Sequence, residues 1–187
     1  MRIVAGTFRG RPLVAPKGHS TRPTADRARQ AIFNVLEHAA WAPDLEGARV
    51  MDLFAGSGAL GIEALSRGAA FCLFVERDEP ARAAIRANLA TLRVEQRARL
   101  DRRDAAALPP GTAADGGPFD CAFLDPPYGK GLGEAALTHL AAGGWLAEDA
   151  IAVLERGADD PAGVPVGFAL IDERRWGVAR VSFLKPA

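Results

Sequence analysis

Arg49-Val50-Met51-Asp52-Leu53-Phe54-Ala55-Gly56-Ser57-Gly58-Ala59-Leu60-Gly61 decides how this chain of 187 residues folds. An apolar, strand-like run passes into a glycine-rich turn and then into a helical pattern. Glycine lets backbone pass close to a ligand, and the first turn of the helix leaves N–H groups free to bind it. A bare Gly-x-Gly is a weak signal. With a strand before it and a helix after it, the turn reads as a nucleotide-type cofactor loop. Asp52, Phe54, Ala55, Gly56, Ser57 and Gly58 are therefore candidate cofactor-binding residues.

The pattern continues on the C-terminal side. Phe71 to Glu76 reads as a second strand ending in an acid, twenty residues beyond Gly56. An acid at that distance fits acceptance of ribose hydroxyls, a role shared by NAD and S-adenosylmethionine enzymes. Arg77 follows it and joins the candidate cofactor set. Asp104, after a short strand at 98–101, is a candidate for the adenine side, with Asp101 as a competitor. Helices are expected at 58–67, 80–92 and 132–142, and strands at 119–124 and 150–154. Gly167 to Asp172 and Val178 to Leu184 read as a closing antiparallel pair. Alternating strands and helices predict an α/β fold: a Rossmann-like, seven-stranded, mostly parallel sheet, its last strand antiparallel, with helices on both faces.

On the N-terminal side the pattern differs. Arg2 to Val4 and Thr7 to Val14 read as a small hairpin turning at Ala5-Gly6. Thr24 is the expected N-cap of a helix from Ala25 to about Ala40, with Ala28, Ile32, Val35, Leu36 and Ala39 on one face. Pro43 to Gly47 is the expected linker. Two units follow: an N-terminal extension, 1–42, and a catalytic domain, 43–187. The net charge of zero hides an asymmetry between them. Residues 1–37 carry seven arginines and lysines against Asp26 and Glu37, a surplus of five that the rest of the chain cancels. A basic arm on an acidic body points to a polyanion partner. Lysines number only three (Lys17, Lys130 and Lys185), so arginine over lysine is a chain-wide bias and not a choice at any one site.

The composition, 49% hydrophobic and 25% charged, is that of a globular protein. No apolar run reaches the roughly 18 residues that span a bilayer. The start, Met1-Arg2-Ile3-Val4-Ala5-Gly6, has no signal-peptide core, so a cytoplasmic location is expected. Cys72 and Cys121 lie in strand-like runs without metal-ligand spacing, and read as buried free thiols; no metal is expected.

The chemistry concentrates at Asp125-Pro126-Pro127-Tyr128, directly after the strand Phe119 to Leu124. Two prolines stiffen the backbone and leave carbonyls free to accept. The acid and a proline carbonyl can accept from an NH₂ group, and Tyr128 offers a flat face for a base. An exocyclic amine is a poor nucleophile because its lone pair is delocalised. Acceptors holding its hydrogens favour a pyramidal nitrogen whose lone pair faces an electrophile. Asp125, Pro126, Pro127 and Tyr128 are the candidate catalytic residues.

These motifs, in this order, resemble class I S-adenosylmethionine-dependent methyltransferases acting on exocyclic amines. The whole chain is similar to the RsmD family of bacterial 16S rRNA guanine-N2 methyltransferases. The likeness runs through Phe8-Arg9-Gly10-Arg11, Arg22-Pro23-Thr24-Ala25-Asp26-Arg27, the glycine loop, Glu63 to Ala69, Asp125 to Tyr128 and Gly144-Trp145-Leu146. The resemblance implies that Gly56 and Gly58 hold the methionine part of S-adenosylmethionine. It places Glu76 on the ribose and Asp104 near the adenine. Asp125 and the Pro126 carbonyl would take the guanine amine, with Tyr128 stacked on the base. Arg9, Arg11, Arg22 and Arg27 would meet RNA: 16S rRNA, free or within the small ribosomal subunit, bound by a monomer. Three alternatives stay open. A DNA or RNA adenine-N6 or cytosine-N4 methyltransferase would use the same four residues. An NAD-dependent oxidoreductase would use the glycine loop and Glu76. A non-enzymatic RNA-binding module would use only the arm.

Overall fold

The structure, a computed structural model, describes residues 1–16, 23–161 and 163–187. Arg22 lies outside them. The described residues form β1 (Arg49–Leu53), β2 (Phe71–Val75), β3 (Ala98–Asp101), β4 (Phe119–Leu124), β5 (Leu146–Gly157), β6 (Phe168–Trp176) and β7 (Ala179–Pro186), with helices α1 (Pro23–His38), α2 (Ala59–Ser66), α3 (Glu79–Leu92) and α4 (Leu132–Ala142). All strands join one sheet in the order β3-β2-β1-β4-β5-β7-β6. The pairings from β3 to β5 are parallel, and β7 runs antiparallel to both of its neighbours. The expected fold class is the one observed.

Strand β1 is apolar on both faces, which is what a central parallel strand requires. Val50 joins Cys72, Phe74, Cys121 and Phe123 on the face covered by Ile32, Phe33 and Leu36 of α1, Ile62 and Leu65 of α2, and Ile85 and Leu89 of α3. Met51 and Leu53 join Leu73, Val75, Ala122 and Leu124 on the opposite face, under Leu137 and Leu140 of α4 and Trp145. Both cysteines are buried and unpaired.

Strands β3 and β4 and helix α4 start and end where the sequence places them. Strand β5 is much longer than the expected 150–154. Its first part, with exposed Glu148 and Asp149, passes a register irregularity before the apolar run begins. Its last residues, Glu155 to Gly157, pair with β7 alone. Strand β6 carries Asp172-Glu173-Arg174-Arg175. Those charges mask the strand pattern in the sequence, and they suit an edge strand that must not recruit another chain. Helix α1 begins at Pro23, earlier than the expected Ala25 start with Thr24 as cap, and proline is well suited to a first helical turn.

The N-terminal hairpin is reduced to a single bridge, Arg2 to Pro12, because Thr7 to Gly10 is turn and not strand. What holds the segment is α2. Buried Glu63 accepts from the backbone N–H groups of Val4 and Ala5, each at 2.9 Å. Ser66 Oγ donates to the Ala5 carbonyl at 2.6 Å and accepts from Phe8 N–H at 3.0 Å. Gly6 is required there. Its φ is +78°, and a Cβ would lie 1.9 Å from the Ser66 carbonyl oxygen. Ile3 and Leu13 share the core with α1, α2 and α3, so the arm packs directly on the sheet's helical layer.

Candidate active site

The strand order reverses between β1 and β4, and ligands of open α/β sheets bind outside the carboxyl ends of strands at such a point. A cavity of about 430 Å³ opens there. Its wall contains Asp52, Phe54, Ala55, Gly56, Ser57, Glu76, Arg77, Asp104, Asp125 and Pro127 from the sequence-derived set. Gly58, Pro126 and Tyr128 are not on that wall.

The glycine loop is built by backbone geometry. Phe54, Gly56 and Gly58 all take positive φ, at 58°, 56° and 76°. At Gly58 a Cβ would press on Phe74 and Ile85 at 3.1 and 3.2 Å, so this residue shapes the turn from behind. At Gly56 nothing lies within 4 Å, and the space faces the cavity. Asp52 Oδ2 accepts from Gly61 N–H at 2.8 Å and locks β1 to α2. Burial pushes its carboxyl well above the ordinary range, with Asp125 and Glu76 adding like charge.

Glu76 spans the site. One oxygen accepts from Gly56 N–H at 2.9 Å and the other from Asp78 N–H at 2.8 Å. It therefore ties the glycine loop to the start of α3, where Asp78 caps Ala81 N–H. Asp104 faces the cavity and pairs with Arg77 at 3.3 Å. Asp101 is not on the wall. Arg103 holds it at 2.7 Å, and that contact keeps its carboxyl low.

Asp125 follows β4 directly. It reaches the water of the cavity, while protein crowds its other sides. That desolvation, with Glu155 adding like charge, pushes its carboxyl up to about 7. Pro126 is buried next to α4. Tyr128 is 42% exposed, and its hydroxyl donates to Glu155 Oε1 at 2.5 Å. Asp160 Oδ2 accepts from the N–H groups of Gly129 and Gly157, which binds the loop to the end of β5.

Sequence reasoning missed Glu155, Asp78, Arg29 and Met1, all on the cavity wall. Glu155 carried a usable signal: like Glu76 and Asp125, it is an acid directly after an apolar strand run. Met1 and Arg29 had none, since only the docking of the arm brings them to the cavity. Arg29 donates to the Arg2 carbonyl at 2.6 Å and stands 3.6 Å from Glu63. Arg9, Arg11 and Arg27 are exposed, and Arg11 also donates to the Thr91 carbonyl at 3.2 Å.

Comparison with known proteins gives this geometry a family. The family model described as "Conserved hypothetical protein 95" matches residues 1–185. The chain belongs to this family, the RsmD family that its motifs resemble. Ribosomal RNA small subunit methyltransferase D of Escherichia coli K12 is 39% identical over 176 residues, covering 93% of this chain and 84% of that protein. Its Haemophilus influenzae counterpart is 34% identical over 180 residues, 95% of this chain and 90% of its own. The solved structure of Escherichia coli yhhF superposes with a TM-score of 0.83 at 35% identity, covering 100% of this chain and 97% of that one. Among the described residues, no helix is long and apolar enough to cross a membrane, and no three His, Cys, Asp or Glu side chains group as metal ligands.

Proposed function

We propose that this family member transfers a methyl group from S-adenosylmethionine to the exocyclic N2 of a guanine in 16S rRNA. One observation carries the reading. Asp125, on its proline-stiffened loop, shares a single cavity with the glycine loop and Glu76, so one amine acceptor and the cofactor loop line the same space.

The wall fits this cofactor. Among the described residues, the wall sets Asp52, Glu76, Asp78, Asp104, Asp125 and Glu155 against Arg29 and Arg77. Such a lining suits a cationic ligand and repels the pyrophosphate of a dinucleotide, which disfavours the oxidoreductase alternative. Glu76 and Asp104 would hold the ribose and adenine, with Gly56 and the neighbouring backbone around the methionine part. When bound, the cofactor supplies an electrophilic methyl on a sulfonium that departs as a neutral thioether. Asp125 Oδ and the Pro126 carbonyl accept the two amine hydrogens and aim the nitrogen lone pair. The Tyr128 ring, anchored by Glu155, fixes the plane of the base. As the N–C bond forms the amine loses a proton, and Asp125 Oδ is placed to receive it. A carboxyl poised near neutrality suits that transfer. The same shift sets the pH dependence. Only the ionised form can take the amine's proton, so single-turnover transfer should rise about tenfold per pH unit below 7 and level off above it. A flat profile between pH 5.5 and 8 would separate Asp125 from the step.

The exposed arginines of the arm and α1 supply the RNA contact, and a splayed-out loop nucleotide is the natural target for a base-binding cavity. The protein acts as a monomer on free rRNA or on the small subunit. Arg9→Ala with Arg27→Ala should flatten the log–log salt dependence of rRNA binding by about 1.4, at roughly 0.7 per lost contact on single strands. Filter binding across salt concentrations measures it, and an unchanged slope would remove the arm from the interface. Calorimetry tests the cofactor reading. S-adenosylhomocysteine should bind and NAD should not; the reverse would refute it.

A further inference from the structure

Asp125 and its three neighbours would serve guanine N2, adenine N6 or cytosine N4 equally well, so something else must choose the base. We propose that Glu155 accepts the N1–H of the target guanine and thereby makes the pocket select guanine. This deepens the function proposed above and rests on it.

The sheet places the residue. Leu124 and Leu154 are register partners on parallel β4 and β5, so the next residues, Asp125 and Glu155, emerge side by side. Neighbouring strands lie about 4.8 Å apart. Both side chains reach the same cavity wall. Glu155 Oε1 is engaged by the Tyr128 hydroxyl, while Oε2 has no hydrogen-bond partner among the described residues. Two carboxylates in a row are acceptors for two adjacent donors. Guanine presents that pair, with the N2 amine next to N1–H on one edge. Adenine and cytosine present the opposite: beside their amines stands a ring nitrogen with a lone pair. With such an amine on Asp125, that lone pair would face Glu155, and two acceptors would meet without a hydrogen between them. A site built to accept from a substrate N–H can reject an analogue lacking it by as much as about 10⁴–10⁵-fold. The bond from Tyr128 occupies Oε1 and leaves Oε2 for the edge of the base.

The probe is 16S rRNA ligated to carry either guanine or 2-aminopurine at the mapped target. 2-Aminopurine keeps the N2 amine but has a lone pair at N1. In single-turnover transfer the parent protein should prefer guanine by about 100-fold or more, a conservative share of that ceiling. In Glu155→Gln the carboxamide can donate to N1 of 2-aminopurine, and the preference should shrink to less than about tenfold. S-adenosylhomocysteine affinity, measured in parallel, should stay within a few-fold. Tyr128→Phe keeps the carboxylate and should keep the preference. An unchanged ratio in Glu155→Gln overturns the proposal, and so does a collapse of the ratio in Tyr128→Phe alone. Equal rates on both bases by the parent protein overturn it without any variant. If the parent yields no N2-methylguanine, the function reading itself has failed, and nucleoside analysis of the product shows that separately.

Discussion

Asp125→Ala should slow methyl transfer about 10³-fold or more, while S-adenosylhomocysteine still binds within a few-fold of the parent affinity. Asp125 lines the cavity, whereas Asp52 and Glu76 brace the glycine loop. Loss of a positioned acceptor removes both orientation of the nitrogen and the acceptor for its proton, each worth orders of magnitude. Single-turnover kinetics with labelled cofactor and calorimetry separate the two effects. Equal loss of transfer and cofactor affinity would place Asp125 in the cofactor site. The milder Asp125→Asn has a second readout. A carboxyl that titrates near 7 folded but near 4 unfolded binds more protons in the folded state between those pH values. It therefore lowers stability as pH rises through that window, and the cost persists above it. Asp125→Asn should melt a few degrees higher than the parent at pH 8 and show no such gain at pH 4.

Glu76→Ala should weaken S-adenosylhomocysteine binding about 100-fold. Both carboxylate oxygens brace backbone N–H groups of the loop and of the turn into α3, and the residue lines the cavity. A charge-assisted hydrogen bond contributes about 1.5–3 kcal/mol, and 1.4 kcal/mol is a factor of ten in affinity. Glu76→Gln should recover part of the loss, because the amide oxygen can still take one N–H. Affinity unchanged in Glu76→Ala would move the ribose elsewhere in the cavity.

That Glu76 and Asp125 stand at the cavity is legible in the sequence, because local physics announces their places. Each is a charge directly after an apolar run, at the point where a parallel strand must leave the sheet. Glu155 obeys the same rule, yet β5 runs on past it to pair with β7, so no turn residue marks the place. The choice between Asp101 and Asp104 could not be read from spacing. It depends on Arg103, which takes Asp101 away from the cavity. The hairpin misread has a similar origin. Thr7 to Gly10 has strand-type composition, but Gly6 and Glu63 bend the segment onto α2 through bonds spanning some sixty residues. Pairings that distant in sequence leave no periodic trace. The long β5 and the charged β6 show the same limit: strand stretches with exposed acids and arginines carry little hydrophobic alternation to detect.

The central claim is that the amine presented to the glycine-loop cofactor is N2 of a guanine in 16S rRNA. Labelled S-adenosylmethionine, incubated with the protein and either free 16S rRNA or small subunits lacking the modification, tests it when the product is digested and analysed by nucleoside mass spectrometry. The expected result is label in N2-methylguanosine at one position. Label in N6-methyladenosine or N4-methylcytidine, or none in either substrate, would contradict it.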